Sequence, residues 1–363
     1  MRFRRWISMI VCCLSATLAT AVQTSAQITE FDAPGAGTGA GQGTWPIGIN
    51  LFGEIEGFYI DSTGAYHAIL RAANGTITKI NLRGSTSSYA LGINQEGAIA
   101  GDYYDRHGTL HGYLRTPNGT ITTFDAPGAG IGNGLGTYAQ SINDFGVIAS
   151  FYQDSRGVFH GYLRAPNGTI TTFDAPGAGT GNGQGTWVDT FSGLNDFRAI
   201  SGYYIDSAGA YHGYLRAPNG TITAIDAPNS GTIVNAGTYP TGINFQGAIT
   251  GEVTDNSNAT HGFVRASDGQ FTEFDVPGAN PVVGCTCPND INDLGVVAGY
   301  DIDTNGVAHG FLRTAEGTIV PFDAPDAGTA NGQGTYAQSI NDFGAIAGFY
   351  VDSSGTLHGF LRQ

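Results

Sequence analysis

Lysine is almost missing from this chain: Lys79 is the only one among 363 residues, and Lys and Arg together number 15 against 30 Asp and Glu. That imbalance excludes partners that need a basic face. A nucleic acid or an anionic membrane surface would be repelled, which leaves cations and neutral polymers as compatible ligands. Cysteine is scarce too, with four residues, and Cys12 and Cys13 fall in the N-terminal apolar run. No disulfide framework can therefore hold this fold. Helical periodicity of 3.6 residues is nowhere sustained. After residue 26, no stretch approaches the ~20 apolar residues of a membrane helix.

The first residues read as an export signal. Arg2, Arg4 and Arg5 give a basic start, an apolar run extends from Trp6 to about Val22, and Thr24-Ser25-Ala26 ends it with small residues. This order places cleavage after Ala26, so residues 1–26 are expected to be a signal peptide and the remainder secreted or held in the cell envelope or periplasm. A retained anchor is the alternative; the run is short and interrupted by Ser and Thr. No small residue precedes Cys12 or Cys13 in the way lipid modification requires. Without the three Arg, twelve basic residues face thirty acids, a net charge of −18.

Glycine is abundant, 57 residues, yet 41% hydrophobic and 11% aromatic content argue for a packed chain with Gly gathered in turns. The chain is built from seven copies of one unit. His67, His111, His160, His212, His261, His309 and His358 recur at steps of 44, 49, 52, 49, 48 and 49 residues. Seven Asn keep step (Asn50, Asn94, Asn143, Asn195, Asn244, Asn292, Asn341), as do seven Arg, from Arg71 to Arg362. The repeats span about 28–76, 77–120, 121–169, 170–221, 222–270, 271–318 and 319–363, filling 27–363. A period of this size marks stacked supersecondary units.

Each unit holds four short runs rich in Ile, Tyr, Phe and Thr, bounded by turn chemistry. In Ile-Asn-Asp-Phe-Gly, Asn341 starts a type I turn and Gly344 takes the left-handed position. Asn118-Gly119 reads as a two-residue hairpin loop, which sets Tyr113 opposite Phe124 and Arg115 opposite Thr122. The Asn-x-Thr triplets at Asn74, Asn118, Asn167, Asn219 and Asn258 match the glycosylation pattern and are better explained as turns. The expected fold is all-β: a seven-bladed β-propeller of four-stranded antiparallel blades. The chain begins with a lone fourth strand, Ile28–Ala33, and ends on a third, Leu357–Arg362, so the N-terminal strand would complete the last blade. A β-solenoid would not need that split unit.

The Gly-x-Ile-Asn-x-x-Gly run, the Ala-Gly-x-Tyr-x-Asp-Ser-x-Gly run and the His-[Gly/Ala]-aromatic-Leu segment resemble the bacterial extracellular HAF-type repeats, over essentially the whole chain after residue 26. Most copies here read His-Gly-Tyr or His-Gly-Phe; only His67-Ala68-Ile69 has Ala. The resemblance implies a repeat fold and export, and carries no activity or catalytic residue.

Positions filled alike in seven copies read as frame: the His and Arg are expected to be satisfied between blades or across strands. Two Asp sets close the second and fourth strands, Asp61, Asp105, Asp154, Asp206, Asp255, Asp303 and Asp352, and Asp32, Asp125, Asp174, Asp226, Asp275 and Asp323, with Asn81 in the odd copy. They would share one face, as turn caps or as calcium ligands. The best local case for calcium is Asp301, Asp303 and Asn305, in an Asp-x-Asp-x-Asn-Gly run whose twelfth position is Leu312 and not Glu. The Gly-rich crossings end at aromatic residues, Trp45, Tyr138, Trp187, Tyr239 and Tyr336. These either pack the crossing or stack on sugar rings, where repetition would give avidity on a polymer.

A single active site would appear where copies differ. The departures are Glu54 and Glu56, which would share a strand face; Asp102 with Arg106 and His107; Arg198; and Cys285-Thr-Cys287, a candidate disulfide in an oxidising compartment. No nucleophile elbow, zincin helix or zinc spacing is present. The reading is a monomeric, exported, non-enzymatic propeller without a required cofactor, for extracellular binding of a carbohydrate polymer. The alternatives are a propeller hydrolase or lyase using Glu54, Glu56, Asp102 or His107, and a structural or protein-binding envelope protein.

Overall fold

The structure, a computed structural model, describes residues 26–188, 192–282 and 284–363. The expected export signal, apart from Ala26, lies outside the described residues. Among those described, every regular element is a strand. The first unit is typical: Gly43–Ile49, Ile55–Ile60, Tyr66–Arg71 and Ile77–Lys79 form an antiparallel meander. The turns explain why. Gly53, Gly64 and Gly75 close the three hairpins at positive φ, each donating its N–H to the carbonyl three residues back.

The last unit contributes Gly334–Ile340, Ile346–Val351 and Leu357–Arg362. Its fourth strand is Ile28–Phe31 from the other end of the chain, paired antiparallel with Ile28 facing Arg362. The same seam carries a buried cluster of Ile49, Ile55, Ala345, Ala347 and Leu361, and Trp45 packs on Phe349 with ring centroids 4.4 Å apart. Chain start and chain end therefore share one core.

Each core sits between neighbouring units. Ala98 and Ala100 of one meet Ala139, Ile142 and Ile148 of the next. Third-strand Arg side chains reach back over the fourth-strand Phe of the preceding unit: Arg164 over Phe124, Arg216 over Phe173, Arg71 over Phe31. Such cation–π contacts are worth ~0.5–2 kcal/mol each. Strand ladders alone fall into two sheets, of 12 and 17 strands.

Side chains complete the circle. Asn50 Nδ2 donates to the Asn94 carbonyl, and the pattern passes through Asn143, Asn195, Asn244, Asn292 and Asn341 until Asn341 Nδ2 donates to the Asn50 carbonyl at 3.0 Å. Radial antiparallel meanders closed in this way around an axis are a β-propeller architecture.

One expected register is corrected. Tyr113 faces Thr123 and Arg115 faces Ile121, a shift of one residue. Gly119 donates to the Thr116 carbonyl with φ +88, and Thr116 N–H bonds the Thr120 carbonyl, so the loop is a type I turn followed by a left-handed Gly. Pro117 fixes a negative φ at the first central position and favours this turn over the two-residue loop. Phe124 packs instead edge-on against Tyr162 of the next unit.

Candidate functional site

At the Asn-ring end of the axis, the turn joining the first two strands of each unit projects a residue just after the ring Asn. Phe52, Phe145, Phe197, Phe245, Leu294 and Phe343 occupy these turns, with exposures from 44% at Phe245 to 82% at Phe343. Phe197 and Phe245, from adjacent units, lie with ring centroids 4.5 Å apart. Turns are ordinarily polar, and large apolar groups there are left unburied by the fold itself. The second unit breaks the annulus with Gln95-Glu96.

Inside the annulus lies an axial cavity of about 200 Å³, lined by six of the ring Asn residues and by an Ile or Leu of each unit, together with Asp144, Asp196, Asp293 and Asp342. These four carboxylates are linked around the ring. Asp144 accepts the Gln95 N–H at 2.8 Å, Asp196 that of Asp144 at 2.9 Å, Asp293 that of Phe245 at 2.8 Å, and Asp342 that of Asp293 at 2.8 Å. In each case Oδ1 is the acceptor. Burial, reinforced by the neighbouring carboxylates, holds Asp144 and Asp293 above the ordinary range. Among the described residues no Lys or Arg forms an ion pair with any of the four.

Two more acids line the cavity. Asp290, where other units have Gly or Ser, accepts from Ser339 Oγ and the Ile340 N–H. Glu56 sits over Gly48, where an added Cβ would lie 2.5 Å from its Oε1. It is fully buried, with the Gly48 backbone as its hydrogen-bonding neighbour. Burial pushes its carboxyl up to about 8.

The sequence-predicted residues are placed as follows. The crossing aromatics pack on strand aromatics: Trp187 on Phe159 at 4.1 Å, Tyr239 on Tyr203 at 4.1 Å and Trp45 on Phe349 between units, and Tyr138 on Phe151 at 4.5 Å and Tyr336 on Phe349 at 4.7 Å within one unit. Trp187 is buried. The repeated His bridges the two Asp sets: His358 Nδ1 lies 3.0 Å from Asp32 and its Nε2 3.5 Å from Asp352. In the odd copy His67 Nε2 takes Asp61 at 2.7 Å. Burial raises the Asp352 carboxyl, but bonds from Ser354, Thr356 and His358 outweigh it and hold the group below its ordinary value.

In the Asp301-Asp303-Asn305 run, Asp303 and Asn305 are engaged within the turn. Asp303 Oδ1 accepts the N–H groups of Asn305 and Val307, and Asn305 Nδ2 donates to Asp303 Oδ2. Both side chains serve the turn, and Asp301 is buried in its strand. Among the described residues no three His, Cys, Asp or Glu come together as metal ligands. Glu54 and Glu56 lie in different surroundings: Glu54 accepts from Asn50 Nδ2 in the turn, while Glu56 is buried in the strand. The Asp102 cluster does not form. Arg106 Nε donates to His107 at the exposed turn, whereas Asp102 is buried beside the Ala139 N–H, with burial pushing it up to about 8. Arg198 is the one ring turn residue that takes positive φ in place of Gly. Cys285 and Cys287 are joined in a disulfide.

Sequence reasoning missed the annulus and the ring carboxylates. The signal was there in Asn-Asp-Phe-Gly, read only as a turn although its Phe recurs.

No protein-family model matches the chain, and no curated protein sequence matches it. Among solved structures, it is similar to the BP39L lectin from Burkholderia pseudomallei, at 15% identity and TM-score 0.52, over 85% of this chain and 91% of that one. It is also similar to a prolyl endopeptidase, at 13% identity and TM-score 0.54; 90% of this chain corresponds to 47% of that one. At such identities the likeness shows the fold alone. A six-bladed β-propeller lectin from Aleuria aurantia is more distant, at 11% identity and TM-score 0.44, over 82% of this chain and 94% of that one.

Proposed function

We propose that this chain is an exported, non-enzymatic, seven-bladed β-propeller of the HAF-repeat type that binds an extracellular carbohydrate polymer. The blade count rests on the seven-membered Asn ring and on the pairing of Ile28–Phe31 with Leu357–Arg362. The observation that carries the binding reading is the exposed apolar annulus around one end of the axis. Aromatic faces stack on the apolar faces of pyranose rings, and the carboxylates of Asp144, Asp196, Asp293 and Asp342 line the cavity inside the annulus as acceptors for hydroxyls. The fold likeness to a Burkholderia pseudomallei lectin is consistent with this use of the scaffold. A net charge of −15 for the full chain, and −18 without the signal, favours neutral or cationic polymers.

Co-sedimentation of the protein with a panel of insoluble polysaccharides, neutral, cationic and anionic, tests the reading. Retention by a neutral or cationic polymer is expected. Failure of every polymer to retain it would overturn carbohydrate binding.

A further inference from the structure

We propose that a cleft in the fifth unit, at the strand ends opposite the Asn ring, binds a single hexose unit through two adjacent hydroxyls. The site is separate from the annulus and rests on the carbohydrate reading. The cleft is open, bounded by residues 228–230 of the crossing and 255–257 of the turn after the second strand, together with His261. It coincides with a departure from the repeat. In five units a second-strand Tyr covers the repeated His: Tyr59 on His67, Tyr103 on His111, Tyr152 on His160, Tyr204 on His212 and Tyr350 on His358, with ring centroids 4.8 to 5.3 Å apart. The sixth unit sets Asp301 opposite His309. Only the fifth has an aliphatic residue there, Val253 opposite His261, and Val253 is fully buried. In the seventh unit the Tyr350 side chain also hydrogen-bonds Glu30 of the fourth strand. In the fifth, Asn229 Nδ2 donates to the corresponding Glu273 Oε2 at 2.7 Å. The amide takes over from the phenol hydroxyl, but among the described residues no ring takes the place of the phenol on His261.

The polar atoms left over in the cleft are acceptors. His261 Nδ1 lies 2.9 Å from Asp275. In each other unit the repeated His reaches the second-strand Asp through Nε2, at 2.7 to 3.9 Å, but His261 makes no such approach to Asp255. With its Nδ1 proton directed at Asp275, the neutral ring presents Nε2 as a lone-pair acceptor, without a partner among the described residues. Asp255 spends Oδ1 on the Ser257 N–H and hydroxyl and on the Ala259 N–H, which leaves Oδ2. The same bonds hold its carboxyl below the ordinary range, so Oδ2 is a charged acceptor. Two acceptors in one cleft call for two donors, which a vicinal diol supplies and a phenol does not. A pyranose carrying that diol also has an apolar C–H face for the uncovered imidazole.

The experiment follows the imidazole NMR signals of the protein as methyl α-mannoside, methyl β-galactoside, methyl β-glucoside or p-cresol is added, the His261 signal being assigned by its loss in His261→Gln. At least one hexoside is expected to move that signal saturably, and p-cresol is not. Val253→Tyr restores the ring of five other units and should block the response. It has room to fold, since Tyr350 already coexists with Asp326 at the crossing position of Asn229. Asp255→Asn keeps Oδ1 for the turn but replaces the second acceptor by a donor, and should weaken binding about tenfold, as loss of a charged hydrogen bond does. Phe145→Ala/Phe343→Ala, at the other end of the axis, should leave the response unchanged. No movement with any hexoside, or the same movement in Val253→Tyr, overturns the inference. Polymer retention by the wild type then leaves the carbohydrate reading standing, whereas an empty polysaccharide panel removes that as well. Saturable binding of p-cresol alone, lost in Val253→Tyr, would assign the cleft to a phenol and overturn the diol.

Discussion

Asn341→Ala is the sharpest perturbation of the scaffold, because this residue joins the two ends of the chain. Its Nδ2 donates to the Asn50 carbonyl at 3.0 Å, while its Oδ1 accepts the Phe343 N–H at 3.1 Å and the Ala345 N–H at 3.0 Å. Truncation removes one buried side-chain bond, worth ~0.5–1.5 kcal/mol net, and strands the buried Ala345 N–H at a cost of ~1–3 kcal/mol. The Phe343 N–H lies beside an exposed residue and can turn to water. The expected loss is about 2–4 kcal/mol, read as the shift in urea midpoint multiplied by the shared slope. Asn195→Ala, which breaks an interior link, should cost the same within about 1 kcal/mol, since a closed ring has no special seam. Asn167→Ala, in an exposed hairpin turn with one bond to the Thr169 N–H, should cost under ~1 kcal/mol. A loss below ~1 kcal/mol for Asn341→Ala beside a full loss for Asn195→Ala would refute closure at this seam.

Other outcomes follow from the same geometry. Glu56 is raised in the folded state to about 8 from an ordinary value of 4.5, so folding takes up a proton there and stability falls as pH rises between those values. Glu56→Ala, which matches Ala100 and Ala149 in other units, should flatten that decline and gain on the order of 2–4 kcal/mol over wild type by pH 8, measured as urea stability against pH. The strand-end Asp residues behave oppositely. Asp352 is held below its ordinary value, so its contribution is complete above ~3.9 and is lost as pH falls through the folded value. Asp352→Asn should therefore lower the melting temperature near neutrality and reduce its further decline below about pH 4. His309, which Asp323, Asp301 and Asp303 hold above its ordinary value against the effect of burial, adds stability below ~6.5 that disappears as pH rises through its folded value. Trp187→Ala should cost about 3–5 kcal/mol as a buried, stacked ring, with polymer retention persisting at temperatures where the variant stays folded.

Much of the frame was legible because it is written seven times. The period located the units, the split unit at the ends anticipated the pairing of Ile28–Phe31 with Leu357–Arg362, and the phase-locked His and Arg were read as frame before their Asp and Phe partners were seen. What the sequence hid lay between copies. Asn50 and Asn94 are separated by 44 residues, and nothing local says that one side chain bonds the other's carbonyl. The hairpin register failed on a single detail, since Pro117 before Asn118-Gly119 changes the turn and moves every facing pair by one. The Asp-x-Asp-x-Asn-Gly run looked like a cation loop because capping a turn and ligating calcium call on the same short oxygen side chains. The site was less legible than the fold. The Phe of the Asn-Asp-Phe-Gly turns recurs, yet nothing in the sequence says that a turn residue stays unburied, and Glu56 stands out only as a departure from the repeat until Gly48 is seen to leave room for it.

The annulus as the glycan-binding face is the central claim, and affinity measured on face-specific variants tests it most directly. With the polysaccharide that retains the wild type best, the double variant Phe145→Ala/Phe343→Ala is compared with Trp45→Ala/Tyr336→Ala, whose rings lie in the opposite aromatic layer. The account predicts at least a tenfold loss of affinity in the Phe variant, with the folded Trp–Tyr variant staying within about threefold of wild type. Loss confined to the Trp–Tyr variant would contradict it and place binding at the Gly-rich crossings instead.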